Sequence, residues 1–216
     1  MSGFPRSPRV LKGGLVLIDP ATSAVLRVVA LQYNPDSVTR SLQIQGVGAE
    51  SGDRSEVLRL KGPPIETIKI DAELDATDQL ETMDSVTTEV GLQGQLATLE
   101  TMVYPTSAQL NRLNAQAQSG VLEIAAMESP LTLFVWSAQR ILPVRLTEFS
   151  ITEEAFDPNL NPIRAKVSLG MRVLSVNDTG FAHKAGGLFM TYLQNKEQLA
   201  RRSRGATFAA LGITGV

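Results

Sequence analysis

Residues 163–173 alternate strictly: Ile163, Ala165, Val167, Leu169, Met171 and Val173 are apolar, and Arg164, Lys166, Ser168, Gly170 and Arg172 lie between them. Successive side chains of a strand point to opposite faces, so this pattern predicts a strand with one buried face. A second alternation begins at Ile65. Ile68, Ile70, Ala72 and Leu74 share one face, and Lys69, Asp71, Glu73 and Asp75 share the other. Leu131–Trp136 reads as a further strand. Arg140–Thr152 is another, but its apolar phase slips: Leu142, Val144 and Leu146 take one parity, Phe149 and Ile151 the other. Such a slip predicts a β-bulge or a bend between two sheets. Gly14–Asp19 is a short apolar run closed by the turn signal Asp19-Pro20. Residues 24–33 are apolar and β-branched on both faces, which predicts a strand covered on two sides. Val38–Val47 reads as a further strand.

The period changes between Asp78 and Ser119. Val90, Leu92, Leu96, Leu99 and Val103 fit a helix over about 86–103. Gly91 and Gly94 weaken it, Pro105 ends it, and a shorter helix over 107–117 follows. Residues 46–64 are a glycine-rich loop. Asp157-Pro158-Asn159-Leu160-Asn161-Pro162 is a turn. Leu188, Phe189, Tyr192, Leu193 and Leu199 predict an amphipathic helix over about 187–203, and residues 205–216 read as extended. The fold class is mainly β with α (α+β). It divides into an N-terminal arm over 1–12, a β domain over 13–174 with the helical insert at about 86–117, and a basic C-terminal arm over 175–216.

Composition narrows the chemistry. Hydrophobic residues make up 43% of the 216, enough for a core, but aromatics only 5%, so Val, Ile, Leu and Ala must build it. There is no cysteine, which excludes disulfides, thiolate catalysis and zinc–sulfur sites. His183 is the single histidine, so any Ser-His-Asp triad must use it. No apolar run approaches the roughly 20 residues that cross a bilayer, and no signal peptide is evident, which predicts a soluble protein without membrane insertion. The net charge of −2 gives no broad case for nucleic acid. The segment 175–216 nevertheless carries +3, opposite in sign to the rest.

Candidate sites are weighed on this background. Asp71, Glu73, Asp75 and Asp78 have the chemistry for a hard cation, but one strand face lacks the convergence of a cage and suits a solvated face or channel lining better. His183 has no acidic neighbour at helical spacing. Trp136 ends an apolar strand, as a core or subunit anchor does. Gly46–Gly52 lacks the Gly-Lys-Ser/Thr ending of a phosphate loop. Arg201, Arg202 and Arg204 form one short cluster on a net-acidic chain, which favours an acidic protein surface over nucleic acid. No cofactor or metal is predicted.

The stretch from Pro130 to Leu169 also carries a resemblance. Leu131-Thr132-Leu133-Phe134-Val135-Trp136, Ile141-Leu142-Pro143-Val144-Arg145-Leu146, Phe156-Asp157-Pro158 and Asn161-Pro162-Ile163-Arg164-Ala165 follow one another in an order that resembles the β-hairpin core of tube-type baseplate proteins from contractile injection systems and phage tails. Leu31-Gln32-Tyr33-Asn34-Pro35 resembles that family's early aromatic-Asn-Pro element. The resemblance implies a rolled antiparallel sheet of Hcp (haemolysin-coregulated protein) type that assembles as a homohexameric ring. It implies a non-enzymatic tube-initiator or hub adaptor, made in the bacterial cytoplasm and seated between a spike protein and the inner tube, with sheath and other baseplate components as partners. The tail is too short for the LysM domain carried by related adaptors. The surfaces expected to meet partners are Trp136, Phe156, Arg164, Lys166, Arg172, Leu188, Phe189, Tyr192, Arg201, Arg202 and Arg204. Truncation at Ser175 is expected to leave a folded body. Open alternatives are the inner tube protein itself, a carried hydrolase, and a ligand-binding β-barrel.

Overall fold

The computed structural model describes residues 11–46, 59–119, 129–203 and 205–215. Seven strands form one antiparallel sheet: β1 (Gly14–Ile18), β2 (Val25–Ala30), β3 (Thr39–Gln43), β4 (Ile65–Asp75), β5 (Leu131–Ser137), β6 (Arg140–Phe156) and β7 (Pro162–Val173). Their order is β2-β1-β5-β6-β7-β4-β3. The helices are α1 (Thr77–Glu81), α2 (Ser85–Val90), α3 (Gln93–Glu100), α4 (Ser107–Gln118), α5 (Val176–Thr179) and α6 (Lys184–Arg202). The architecture is thus α+β with a seven-stranded sheet, as the alternating segments predict.

The alternations at β4 and β7 bury the faces expected of them. Ile68, Ile70, Ala72 and Leu74 join Ala165, Val167, Leu169, Met171 and Val173 in the main core. β6 loses register with β7 between Leu146 and Glu148, which places a bulge at the phase slip. Ahead of it Leu142 and Val144 face the core; beyond it Phe149 and Ile151 pack against that same core.

The sheet is strongly curved. In a flat sheet, strands in the first and sixth places would lie about 24 Å apart at ~4.8 Å per step. Yet Gln32, two residues beyond β2, clamps the end of β4: its Nε2 donates to the Asp75 carbonyl at 2.6 Å, and its Oε1 accepts from the Asp75 amide at 2.9 Å. Within the curl, Leu92, Leu96 and Leu99 of the helical insert and Phe189 and Tyr192 of α6 complete the main core.

Four expectations are corrected. β2 is not covered on two sides. It is the sheet's outermost strand, and Val25, Leu26 and Val28 are exposed. The doubly covered strand is β5, where Phe134 enters the main core while Leu131 and Leu133 pack with Ile18 and Ala185 on the other face. The helix over 86–103 is broken in two. Gly91 sits at φ +57°, and a Cβ there would lie 2.4 Å from the Pro162 carbonyl oxygen. Leu92 then donates its amide to that carbonyl at 2.9 Å. The break is the joint at which the insert docks on the β6–β7 turn, and it leaves Val103 exposed. Residues 208–211 form a turn of 3₁₀ helix rather than extended chain.

The fourth correction concerns the C-terminal segment. α6 begins near its expected position and runs 19 residues. It is not a separable arm, because its apolar side packs into the body: Ala185, Phe189 and Tyr192 are all buried. A chain ending at Ser175 would lose part of its own core.

Candidate interaction surface

Three surfaces carry the chemistry of this fold. The first is the polar face of β4, β7 and β6. The β4–β7 register sets Asp75 opposite Arg164 and Glu73 opposite Lys166. Arg164 donates to Asp75 through Nε and Nη2 at 3.1 and 3.0 Å. Lys166 reaches the other way, to Glu154 at 2.9 Å, and Ser168 donates to Asp71. Lys69 bridges to Glu148 at 2.8 Å across the intervening strand. That bridge needs Gly170, opposite both residues, since a Cβ there would lie 2.9 Å from the Glu148 Cβ. Hydrogen bonds from Thr77 and then the Arg164 guanidinium hold Asp75 below the usual carboxylate range. The acidic row is therefore threaded with cations. Among the described residues no group of three His, Asp or Glu is placed to hold a metal ion.

The second surface comprises the two outer edges of the sheet. β2 and β3 end the strand order, and no other strand among the described residues pairs with them there. β2 is apolar and leaves Val25, Leu26 and Val28 open; β3 is mostly polar and leaves Leu42 and the following Ile44 open. An edge exposes backbone donors and acceptors that a further strand can pair with.

The third surface was not foreseen and centres on Glu66. This residue lies on the same face of β4 as Ile68 and Ile70, and its side chain is only 4% exposed. Arg40 Nε donates to it at 2.8 Å, Lys196 Nζ at 3.0 Å and the Tyr192 hydroxyl at 3.1 Å. Burial raises the Glu66 pKa, but the Arg40 and Lys196 contacts outweigh it and leave the carboxyl below its ordinary value. Burial, then the Glu66 charge, pushes Tyr192 up. Lys196 also lies over the Tyr192 ring, 4.1 Å from its centre. Above this network is a cleft of about 460 Å³ lined by Arg40, Trp136, Arg140, Tyr192, Lys196 and Leu199 among others. A parity reading places Glu66 in the apolar set; the signal available in the sequence was an acid at a core position.

The predicted partner residues fall in different places. Arg164 and Lys166 are exposed on the polar face, and Phe156 is exposed at the end of β6. Arg172 is half-buried and pairs with Asp178 at 2.6 Å. Trp136 is half-buried, stacked on Phe134 with ring centres 5.9 Å apart, and forms one wall of the cleft. Leu188 packs against the smaller core cluster. Phe189 and Tyr192 are corrected: they are core residues of their own chain, and only Tyr192 also touches the cleft. Arg201 and Arg202 are exposed in the last turn of α6. Arg204 lies outside the described residues, as does most of the 46–64 loop.

His183 accepts the Ala185 amide at Nδ1, 3.1 Å away, and so caps the start of α6. It borders a cleft of about 530 Å³ lined by Thr132, Arg145, Leu174 and Thr179 among others. No helix among the described residues is long and apolar enough to cross a membrane. Comparison with protein-family models finds no match, and neither does comparison with curated proteins.

Proposed function

We propose that this chain is a structural, non-enzymatic building block of a contractile injection system: an Hcp-like, ring-forming protein that links the spike to the inner tube and templates tube polymerisation. The observation that carries the reading is the pair of open sheet edges at β2 and β3, apolar along β2 and with Leu42 and Ile44 exposed at β3. One edge of each copy meets the other edge of the next, the head-to-tail relation that a closed ring requires. The order of motifs between Pro130 and Leu169 supplies the assignment to this kind of particle, and the curl of the sheet suits a tube-type subunit.

A second reading, the inner tube protein itself, gains support from α6. A projecting tail would obstruct stacking between identical rings, but α6, the longest element of this tail, packs its apolar side into the body. Copy number separates the two: six per particle for one ring, many multiples of six for a tube.

The test uses Val28→Lys, which places a charge on the outermost strand without touching the core. Mass measurement and negative-stain imaging of assembled particles should find rings of the wild-type chain and none of the variant, whose far-ultraviolet circular dichroism stays unchanged. Particles in which the variant assembles normally, or in which both edges are already capped within one copy, remove the proposal.

A further inference from the structure

Three elements that are distant in sequence converge on the cleft above Glu66. β3 brings Arg40, the β5–β6 hairpin brings Trp136 and Arg140 from either side of its Ala138-Gln139 turn, and α6 brings Tyr192, Lys196 and Leu199. The cleft's volume of about 460 Å³ lies within the roughly 300–1000 Å³ typical of small-ligand sites.

The cations of the cleft are held in place without exhausting their donors. Glu66 anchors Arg40 through Nε and Lys196 through Nζ, and the Tyr192 hydroxyl accepts from Arg40 Nη2 at 2.8 Å. Arg40 Nη1 and the whole Arg140 guanidinium make no hydrogen bond among the described residues. Lys196 gives Glu66 only one of the three donors that an ammonium carries. Arg140 acts on the same spot: burial and the Glu66 charge raise the Tyr192 pKa, and the Arg40 and Arg140 charges oppose that rise. Among the described residues here, three cations therefore meet one carboxylate, an excess of two positive charges.

These features select a ligand chemistry. Two excess charges match a dianion, and a phosphate monoester carries about −1.5 to −2 near neutral pH. Its oxygens suit the planar donor forks of Arg40 and Arg140. A single carboxylate would answer only half of the charge. Trp136 and Leu199 add an apolar wall for the group that the ester carries. Because Glu66 fixes Arg40 and Lys196 before a ligand arrives, little side-chain freedom is lost on binding.

We infer that this cleft binds a small phosphate monoester with an apolar substituent, its phosphate held by Arg40, Arg140 and Lys196 and its substituent against Trp136 and Leu199. The bound ester ties the edge strand β3 to the β5–β6 hairpin and to α6. The inference does not rest on the ring reading.

Calorimetric titration of the full chain with phenyl phosphate tests it. Wild type should bind one equivalent with a Kd of about 1 mM or tighter. Inorganic phosphate should bind more weakly, because it leaves the apolar wall bare. Arg140→Ala should weaken phenyl phosphate binding about tenfold or more, as the loss of hydrogen bonds to a charged group does. The Arg140 side chain makes no bond within the described fold, so the ligand-free variant should keep the wild-type melting temperature. Arg140→Lys, which keeps the charge without the fork, should fall between the two. Absence of saturable binding to wild type overturns the inference. So does Arg140→Ala binding as well as wild type, or benzoate or inorganic phosphate binding as tightly as phenyl phosphate. A phosphoserine peptide that binds more tightly than phenyl phosphate assigns the cleft to a protein partner and also overturns it.

Discussion

β7 and β2 both carry a set of apolar side chains in one sheet, yet those sets live in opposite environments. β7 has a strand on each side and buries Ala165, Val167, Leu169, Met171 and Val173. β2 has a neighbour on one side only, and leaves Val25, Leu26 and Val28 more than half exposed. In β7 apolar side chains hold the monomer together. In β2 Val25, Leu26 and Val28 contribute little to the core of the monomer. The difference teaches where to look for function in this fold: at the apolar positions that folding leaves uncovered.

The largest test of this division removes α6. A chain stopped at Ser175 loses Phe189 and Tyr192 from the core and two of the three side chains that neutralise or hydrogen-bond Glu66. Thermal denaturation should find no cooperative transition, and a well-folded truncated body would show that the helix is an accessory after all.

Next comes the direct contrast between the strands. Leu169→Ala should cost about 2–5 kcal/mol in urea unfolding, the range for a large-to-small change in a packed core. Val28→Ala should stay within about 0.5 kcal/mol, as exposed positions do, while weakening assembly. Similar losses at both sites would mean that β2 is covered within the monomer.

Glu66→Gln sharpens a smaller difference, between a charge inside the sheet and the charges on its polar face. The substitution should cost about 1–3 kcal/mol near neutral pH, the range for hydrogen bonds to a charged group. The pH dependence has a definite sign. Because the folded pKa lies below the ordinary 4.5, the stabilisation is complete above that value and is lost as pH falls through the folded pKa. Wild type should therefore approach the variant's stability on acidification. Lys69→Ala, which breaks an ion pair exposed on both sides, should change stability least and lose its effect in salt. A gap between wild type and Glu66→Gln that persists unchanged at low pH would deny the carboxylate its role.

Much of the sheet was legible because strand periodicity is a local signal. Residues 65–75 and 163–173 alternate, and their buried sets emerged as predicted. The bulge at Leu146–Glu148 was legible for the same reason, as a change of parity. Residues 24–33 misled because an apolar run looks the same whether neighbours cover it or leave it open. The helix over 86–103 misled because its spacing is helical on both sides of Gly91, and the break depends on a carbonyl 71 residues away in the sequence.

By itself the chain determined which segments alternate, where their parity slips, and that a cysteine-free core must be built from aliphatic residues. These follow from the geometry of one strand or one helix turn. The tertiary structure alone decided which apolar strand lies outermost, that α6 belongs to the core, and that Arg40, Tyr192 and Lys196 converge on Glu66 from positions 26, 126 and 130 residues distant. The physical reason is that periodicity specifies the direction of a side chain relative to its own backbone, whereas burial, charge pairing and open edges depend on which segments fold against it.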